Sequence, residues 1–75
     1  MNEYIVNFIW DEEALVWVAT SDDVPGLALE SGSLDALMER VRYTIPELLE
    51  LNGDTAQDIS VSYNTQRHER FVLHG

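Results

Sequence analysis

The stretch WVATSDDVPGLALESGS, residues Trp17 to Ser33, decides the fold of this 75-residue chain. It leads from an apolar β-like segment through an acidic turn and a Pro-Gly pair into a second short segment and a helix start. Pro25 sets φ at the second position of a tight turn, and Gly26 can adopt the positive φ that a type II turn needs next. Ser33 is a good N-cap for the amphipathic run that follows. The stretch therefore predicts strand, turn, strand and helix in succession.

Hydrophobic periodicity predicts the elements on either side of this stretch. Residues 3–10 alternate as a strand and form a hairpin with a second strand, 14–20, across the charged turn 11–13. The third strand, 27–31, is expected to pair antiparallel as well. Apolar residues at helical spacing then predict an amphipathic helix over 34–51.

The end of this helix and the residues after it complete the prediction. Asn52-Gly53 is a plausible C-cap, and Pro46 inside the run is expected to kink the helix. Ile59 to Tyr63 alternates as a half-buried strand. Whether Arg70 to Leu73 forms a further strand, which would close a hairpin over 64–68, is left open by the sequence. The expected class is α+β: an antiparallel sheet of three to five strands with one helix packed on one face, in the order β-β-β-α-β.

The first two strands are apolar on both faces, which predicts self-association. One helix can cover only one face of a small sheet, and the other face would then expose large apolar side chains. Which face meets the helix is left open by the sequence. We expect a homodimer or tetramer, with Trp10 and Trp17 as interface residues unless they pack in the core.

Charge is the strongest compositional bias. Fourteen Asp and Glu face four Arg and no Lys, a formal charge of −10. Such a domain repels phosphate backbones, so we expect no direct binding to nucleic acid. The acidic surface either keeps the protein soluble or complements a basic protein partner. In the second interpretation the expected partner-binding residues are Asp11, Glu12, Glu13, Asp22, Asp23 and Glu30.

A search for catalytic or metal-binding patterns yields no convincing site. His68 and His74 would stand about 20 Å apart on one strand, too far to share a metal ion. Ser60 and Ser62 lie on the outer face of a strand, with no histidine placed to activate them. The chain has no cysteine, which removes thiol chemistry and disulfides. We expect a non-enzyme that needs no cofactor and no metal.

The expected location is the cytoplasm. The opening residues MNEYIVNFIW lack a basic n-region and a long apolar core, so they do not read as a signal peptide. No apolar run approaches the roughly 18–20 residues of a membrane helix. The absence of cysteine suits a reducing interior. The length allows a single domain spanning residues 1–75.

Several short motifs, in this order, resemble the N-terminal domain of HicB-type antitoxins, and most closely its small single-domain relatives. They are Trp10-Asp11, Trp17-Val18-Ala19, Pro25-Gly26-Leu27, Gly32-Ser33, Leu37, Arg40-Val41 and Pro46-Glu47-Leu48-Leu49. The resemblance implies a β-β-β-α-β architecture, often described as a ribonuclease H-like fold that has lost its catalytic carboxylates. Asn7 at the centre of the first strand agrees with that loss. The segment after Gly53 is too short for the C-terminal DNA-binding module of the two-domain members.

The same resemblance implies a function. It is that of a non-catalytic antitoxin-like domain, which would bind a small basic ribonuclease toxin of double-stranded-RNA-binding-type fold and cover its catalytic histidine. A second hypothesis is a stand-alone, self-associating structural or adaptor module with no toxin partner. A third is a vestigial nuclease that uses Asp22, Asp23 and Glu30. A small basic open reading frame next to the gene would favour the first hypothesis over the second.

Overall fold

The computed structural model describes residues 2–54 and 58–74, which form a four-stranded sheet with one helix on one face. The elements are β1 (Asn2–Asp11), β2 (Val16–Thr20), β3 (Ala28–Ser31), α1 (Leu34–Leu51) and β4 (Ile59–Gln66). The strands lie in the order β3-β2-β1-β4. The α+β class and the β-β-β-α-β order are therefore confirmed.

The sheet is mixed, because β4 pairs parallel with β1. The first three strands pair antiparallel as expected, with Trp10 opposite Trp17 and Val18 opposite Glu30. Parallel neighbours need a crossover connection, and α1 supplies it between β3 and β4. The alternation within 59–63 predicted a strand correctly, but it contains nothing that distinguishes a parallel from an antiparallel neighbour.

The C-terminal part differs from the sequence-based expectation. β4 runs on to Gln66, in register with Ile9, so residues 64–66 are strand and not a hairpin turn. The segment 67–74 contains no strand, and the further strand considered for Arg70 to Leu73 is not formed. Ladder bonds to β1 hold residues 64–66 extended, and the ladder ends with the pair of Ile9 and Gln66. Residues 69–74 lie beyond the register of Asp11, the last residue of β1.

Two strands begin later than predicted because turns use their first residues. Ala14 and Leu15 belong to the β1–β2 turn, in which the Leu15 N–H donates to the Asp11 carbonyl at 2.8 Å. Leu15 has a φ of 56°, a left-handed conformation that ends the turn. In the next loop the Leu27 N–H donates to the Val24 carbonyl at 3.1 Å, and Gly26 has a φ of 90°. These values are those of the predicted type II turn, and β3 starts after it.

Both caps of α1 form as predicted. The Ser33 hydroxyl accepts from the Ala36 N–H at 3.2 Å. At the other end the Gly53 N–H donates to the Glu50 carbonyl and the Asp54 N–H to the Leu49 carbonyl, which is a Schellman motif. The helix is continuous through Pro46. Within residues 2–54 and 58–74, no helix is both long and apolar enough to cross a lipid bilayer.

The core lies between α1 and one face of the sheet. Its buried members are Tyr4, Val6, Phe8 and Ala19 from the sheet, Leu37, Val41, Ile45 and Leu49 from α1, and Val24 and Leu27 from the β2–β3 loop. The helix residues are four positions apart, so they form one stripe. The face of β1 that carries Ile5 and Ile9 is therefore the one that α1 leaves uncovered.

Candidate functional site

The sheet face opposite α1, called here the open face, has an apolar centre. Side chains alternate along a strand, so burial of Tyr4, Val6 and Phe8 directs Ile5 and Ile9 to the opposite side. Ile5 is 42% exposed and Ile9 48% exposed. Val18, opposite Ile9 on β2, is half-buried, as is Val16. Large apolar side chains thus remain accessible on both sides of the half-buried Asn7, which lies between Ile5 and Ile9 on this face.

A depression of about 410 Å³ lies at the β1–β2 end of the open face. Its lining is Ile9, Trp10, Asp11, Glu12, Glu13, Val18 and Thr20. Apolar groups of β1 and β2 thus share it with three carboxylates of the connecting turn. Such a depression can receive an apolar side chain that has a cation beside it.

The carboxylates of the β1–β2 turn are held to different degrees. Asp11 Oδ1 accepts from the N–H groups of Glu13 and Ala14 at 3.0 and 3.2 Å, which shapes the turn. Glu12 Oε2 accepts from the indole Nε1 of Trp10 at 2.8 Å. The Glu13 carboxylate is exposed and makes no hydrogen bond or ion pair with the residues that the structure describes. Glu13 is therefore the carboxylate of this turn that is free to contact a partner.

The two aspartates of the β2–β3 loop have different roles. Asp23 Oδ2 accepts from the Ile5 N–H at 2.8 Å, and the Ser21 hydroxyl donates to the Ile5 carbonyl at 2.6 Å. The last residue pair between β1 and β2 joins Asn7 to Thr20. Beyond it, the loop binds the backbone N–H and C=O of β1 in place of a strand. Asp22 is exposed and has no such contact among the described residues. Asp23 thus belongs to the framework, and Asp22 is the loop residue available to a partner.

Glu30 completes the acidic border of the open face. It lies opposite Val18 in the β2–β3 pair, so its side chain is on the open face, where it is exposed. Its backbone carbonyl accepts from Arg40 Nη1 at 3.1 Å, while its carboxylate has no partner in the described part of the chain. Carboxylates therefore stand at both ends of β2 and on β3, around the apolar centre.

Trp10 and Trp17 lie on the helix side of the sheet and not on the open face. They share the face of Phe8 and Ala19, and their rings meet nearly edge to face with centroids 5.5 Å apart. The Arg67 guanidinium stacks 4.1 Å from the Trp10 ring centroid and 5.9 Å from that of Trp17. The sequence predicted the two indoles on neighbouring strands of one hairpin. It contained no signal for Arg67, which approaches from the other end of the chain.

The residues considered for catalysis are not assembled into a metal site. Among residues 2–54 and 58–74, no three His, Asp or Glu side chains are grouped so that they could hold a metal ion. Ser60 and Ser62 lie opposite Glu3 and Ile5 on the open face, as expected for the outer side of the strand. His68 and His74 are exposed beyond the end of β4.

Comparisons with known proteins give a family and a structural relative. A family model described as a domain of unknown function, DUF1902, matches residues 3–74. The crystal structure of the hypothetical protein TTHA1013 from the extremely thermophilic bacterium Thermus thermophilus is similar, with a TM-score of 0.73 and 40% sequence identity. The match covers 96% of this chain and 100% of that one. No functionally curated protein matches the chain significantly.

Proposed function

Because the chain belongs to the family of domains of unknown function DUF1902, we propose its function from its own surface: a non-catalytic, antitoxin-like domain that binds a small basic protein in the cytoplasm. The observation that carries the proposal is the open face, on which exposed Ile5 and Ile9 are bordered by exposed carboxylates. An apolar centre with a charged rim is the usual anatomy of a protein-binding surface.

The apolar centre supplies affinity in this proposal. Ile5 and Ile9 keep 42% and 48% of their surface exposed, and Val18 lies between Ile9 and the acidic border. Burial of apolar surface contributes roughly 25 cal/mol per Å², so a partner side chain seated against these residues gains stability from water exclusion.

The acidic border determines which class of partner the open face binds in this proposal. With a formal charge of −10 and exposed carboxylates at Glu13, Asp22 and Glu30 that have no partner among the described residues, the open face attracts cations and repels phosphate backbones. Rim charges act mainly on the association rate and on its salt dependence, and buried apolar contacts act on dissociation. A basic protein therefore fits this face better than a nucleic acid does.

The resemblance to HicB-type antitoxins is the basis for the more specific part of the proposal, which is the kind of basic protein that is bound. In that group the partner is a small basic ribonuclease toxin, and the antitoxin covers its catalytic histidine. The order of the Trp-Val-Ala, Pro-Gly-Leu and Gly-Ser motifs carries the resemblance, and the acidic border suits such a partner. The protein would then act by occlusion and would need no reactive group of its own.

The partner to test is the product of the adjacent gene where that gene encodes a small basic protein. Association is measured by surface plasmon resonance at two salt concentrations, with Asp22→Lys/Glu30→Lys against the matched control Glu47→Lys/Glu50→Lys. Both double variants change the net charge equally, but the control residues are exposed on α1, away from the open face. We expect the first variant to slow association several-fold more than the control, with a weaker dependence on salt.

The same assay tests the apolar centre through dissociation. Ile9→Ala is expected to raise the dissociation rate by about tenfold, since it truncates a side chain at the middle of the interface. Equal slowing by both charge variants would contradict docking on the open face. If nothing binds and co-expression does not relieve toxicity of the neighbouring product, the self-associating module without a toxin partner is the better description.

A further inference from the structure

The C-terminal segment 67–74, called here the arm, projects from the rest of the molecule. Phe71, Val72 and Leu73 are 75%, 69% and 90% exposed, three consecutive apolar residues without cover. The molecule measures 58 Å along its longest axis but only 21 and 18 Å along the others. The sixteen residues of β4 and the arm would span about 53 Å when extended, at about 3.3 Å per residue. The long axis is thus accounted for by β4 and the arm together.

The outer edge of β4 is unprotected. In the part of the chain that the structure describes, β4 has β1 as its one neighbour, so its other row of N–H and C=O groups is unpaired. Its sequence, ISVSYNTQ, contains no charged residue, no proline and no glycine. Natural edge strands are commonly short, charged or interrupted by proline, because an open edge recruits further strands. An eight-residue uncharged edge is a template for a strand from elsewhere.

We infer that the arm of one chain pairs antiparallel with the outer edge of β4 in a second copy, and that the second arm reciprocates. β4 and the arm have the same length, and a twofold axis through the pair of Gln66 residues aligns positions 67–73 of each arm with positions 65–59 of the other β4. Residues that lie opposite each other are then on the same side of the sheet. An isologous interface of this kind closes as a dimer. It adds about sixteen ladder hydrogen bonds, since an antiparallel pair forms about one bond per residue pair.

This register gives the exposed side chains of the arm suitable neighbours. Phe71 falls opposite Val61 and Leu73 opposite Ile59, two β4 residues that pack against the core on the helix side. Arg70 falls opposite Ser62 on the open face, where the other neighbour of Ser62 is Ile5. The dimer would thus extend the apolar layer on the helix side of the sheet.

Charge and chain direction favour pairing of the arm with a second copy over folding of the arm back onto its own chain. The arm carries two of the four arginines and one of the fourteen acidic residues, whereas the rest of the chain is strongly acidic. Arg67 is stacked on Trp10, which fixes the root of the arm in line with β4. No glycine or proline follows within 67–74 to make a tight reversal. The inference goes beyond the proposed function and does not depend on it.

Oligomeric state is the first test, with a matched pair of aromatic substitutions. Phe71→Glu and Tyr43→Glu each replace an exposed ring by a carboxylate, on the arm and on α1 respectively; the two rings are 75% and 65% exposed. In sedimentation equilibrium over a concentration series, we expect dimers for the unchanged protein and for Tyr43→Glu, and monomers for Phe71→Glu. A monomeric unchanged protein at high micromolar concentration would overturn the inference, as would equal dissociation of both variants.

Cysteine pairing tests the register, and the protein's lack of cysteine removes any background. Asn64→Cys/His68→Cys places two thiols opposite each other across the proposed pair. Within one extended chain these positions are about 13 Å apart, too far for a disulfide. Mild oxidation should give a covalent dimer on a non-reducing gel, whereas Ser60→Cys/His68→Cys, shifted along the strand, should not. A cross-link from the shifted variant, or from neither, would overturn the arrangement.

Discussion

The carboxylate of Asp23 accepts a hydrogen bond of 2.8 Å from the backbone N–H of Ile5, eighteen positions earlier in the chain. Ser21 completes the arrangement, since its hydroxyl donates to the Ile5 carbonyl and accepts from the Asp23 N–H. Both backbone groups of one β1 residue are thus bound by a loop and not by a strand. A loop that looks like an acidic surface feature in the sequence is part of the framework of the sheet.

Asp23→Ala should therefore destabilise the fold, and Asp22→Ala should not. The first variant leaves the Ile5 N–H without its charged acceptor, and we expect a loss of about 1–2 kcal/mol. The second removes an exposed carboxylate that has no described contact, and its effect should stay within about 0.5 kcal/mol. Urea unfolding at constant ionic strength measures both. Equal losses would show that net charge, and not the Ile5 hydrogen bond, governs stability here.

Leu15→Gly should stabilise the protein. Leu15 has a φ of 56°, where a side chain costs roughly 1–2 kcal/mol, and it is 62% exposed, so little apolar burial is lost. We expect a gain of about 0.5–1 kcal/mol after the greater freedom of glycine in the unfolded chain is subtracted. Ala14→Gly is the control, because Ala14 has no positive φ and should lose stability. Thermal unfolding that moves both variants downward would contradict the strain at Leu15.

Gly26→Ala and Gly32→Ala should separate backbone strain from crowding. A Cβ at Gly26 would lie 3.4 Å from Leu48 Cδ2, which is an ordinary contact, so its cost comes from the φ of 90°. We expect a loss of about 1–2 kcal/mol in chemical unfolding. Gly32 has no positive φ, and its Cβ would meet the Leu15 carbonyl oxygen at 3.9 Å. That variant should be neutral or slightly stabilising; a larger loss than at Gly26 would refute the assignment.

Arg67→Ala should change the indole spectra of the folded protein. The guanidinium lies 4.1 Å from the Trp10 ring centroid, and its removal uncovers a ring of the Trp10–Trp17 pair. We expect a red shift of tryptophan emission and a stability loss of about 0.5–1 kcal/mol. Arg42→Ala removes an equal charge from the exposed ion pair with Glu39 and should leave the emission unchanged. Unchanged emission in Arg67→Ala would mean that the stacking is not maintained in solution.

The parts of the fold that depend on neighbouring residues were predictable from the sequence. The Pro25-Gly26 turn, the Ser33 cap and the Gly53 C-cap each follow from the conformational preferences of one or two residues, and the structure confirms all three. The bounds of α1 agree with the prediction because a capping residue stands at each end of the apolar stripe.

The parts that depend on distant residues were not predictable. Nothing within 59–63 indicates that its neighbour is β1 or that the pairing is parallel. Both faces of β1 are apolar, so the sequence could not show that Ile5 and Ile9 would be left uncovered. The sequence therefore predicted Trp10 as an interface residue, although its ring packs on the helix side beside Trp17. Asp23 likewise looked like a partner contact, because its hydrogen bond to Ile5 exists only once β1 and the loop have met.

The position of β1 between β2 and β4 has a consequence for how the chain reaches its native state. β1 is the first strand to be synthesised and β4 the last, yet Asn2 pairs with Ile59 at the start of their ladder. The hairpin of β1 and β2 is local and can form early, while the β1–β4 ladder must close a loop that includes the helix. Such long-range closure raises contact order and slows folding. We expect the nascent protein to hold one side of β1 open until β4 has been synthesised and completes the sheet.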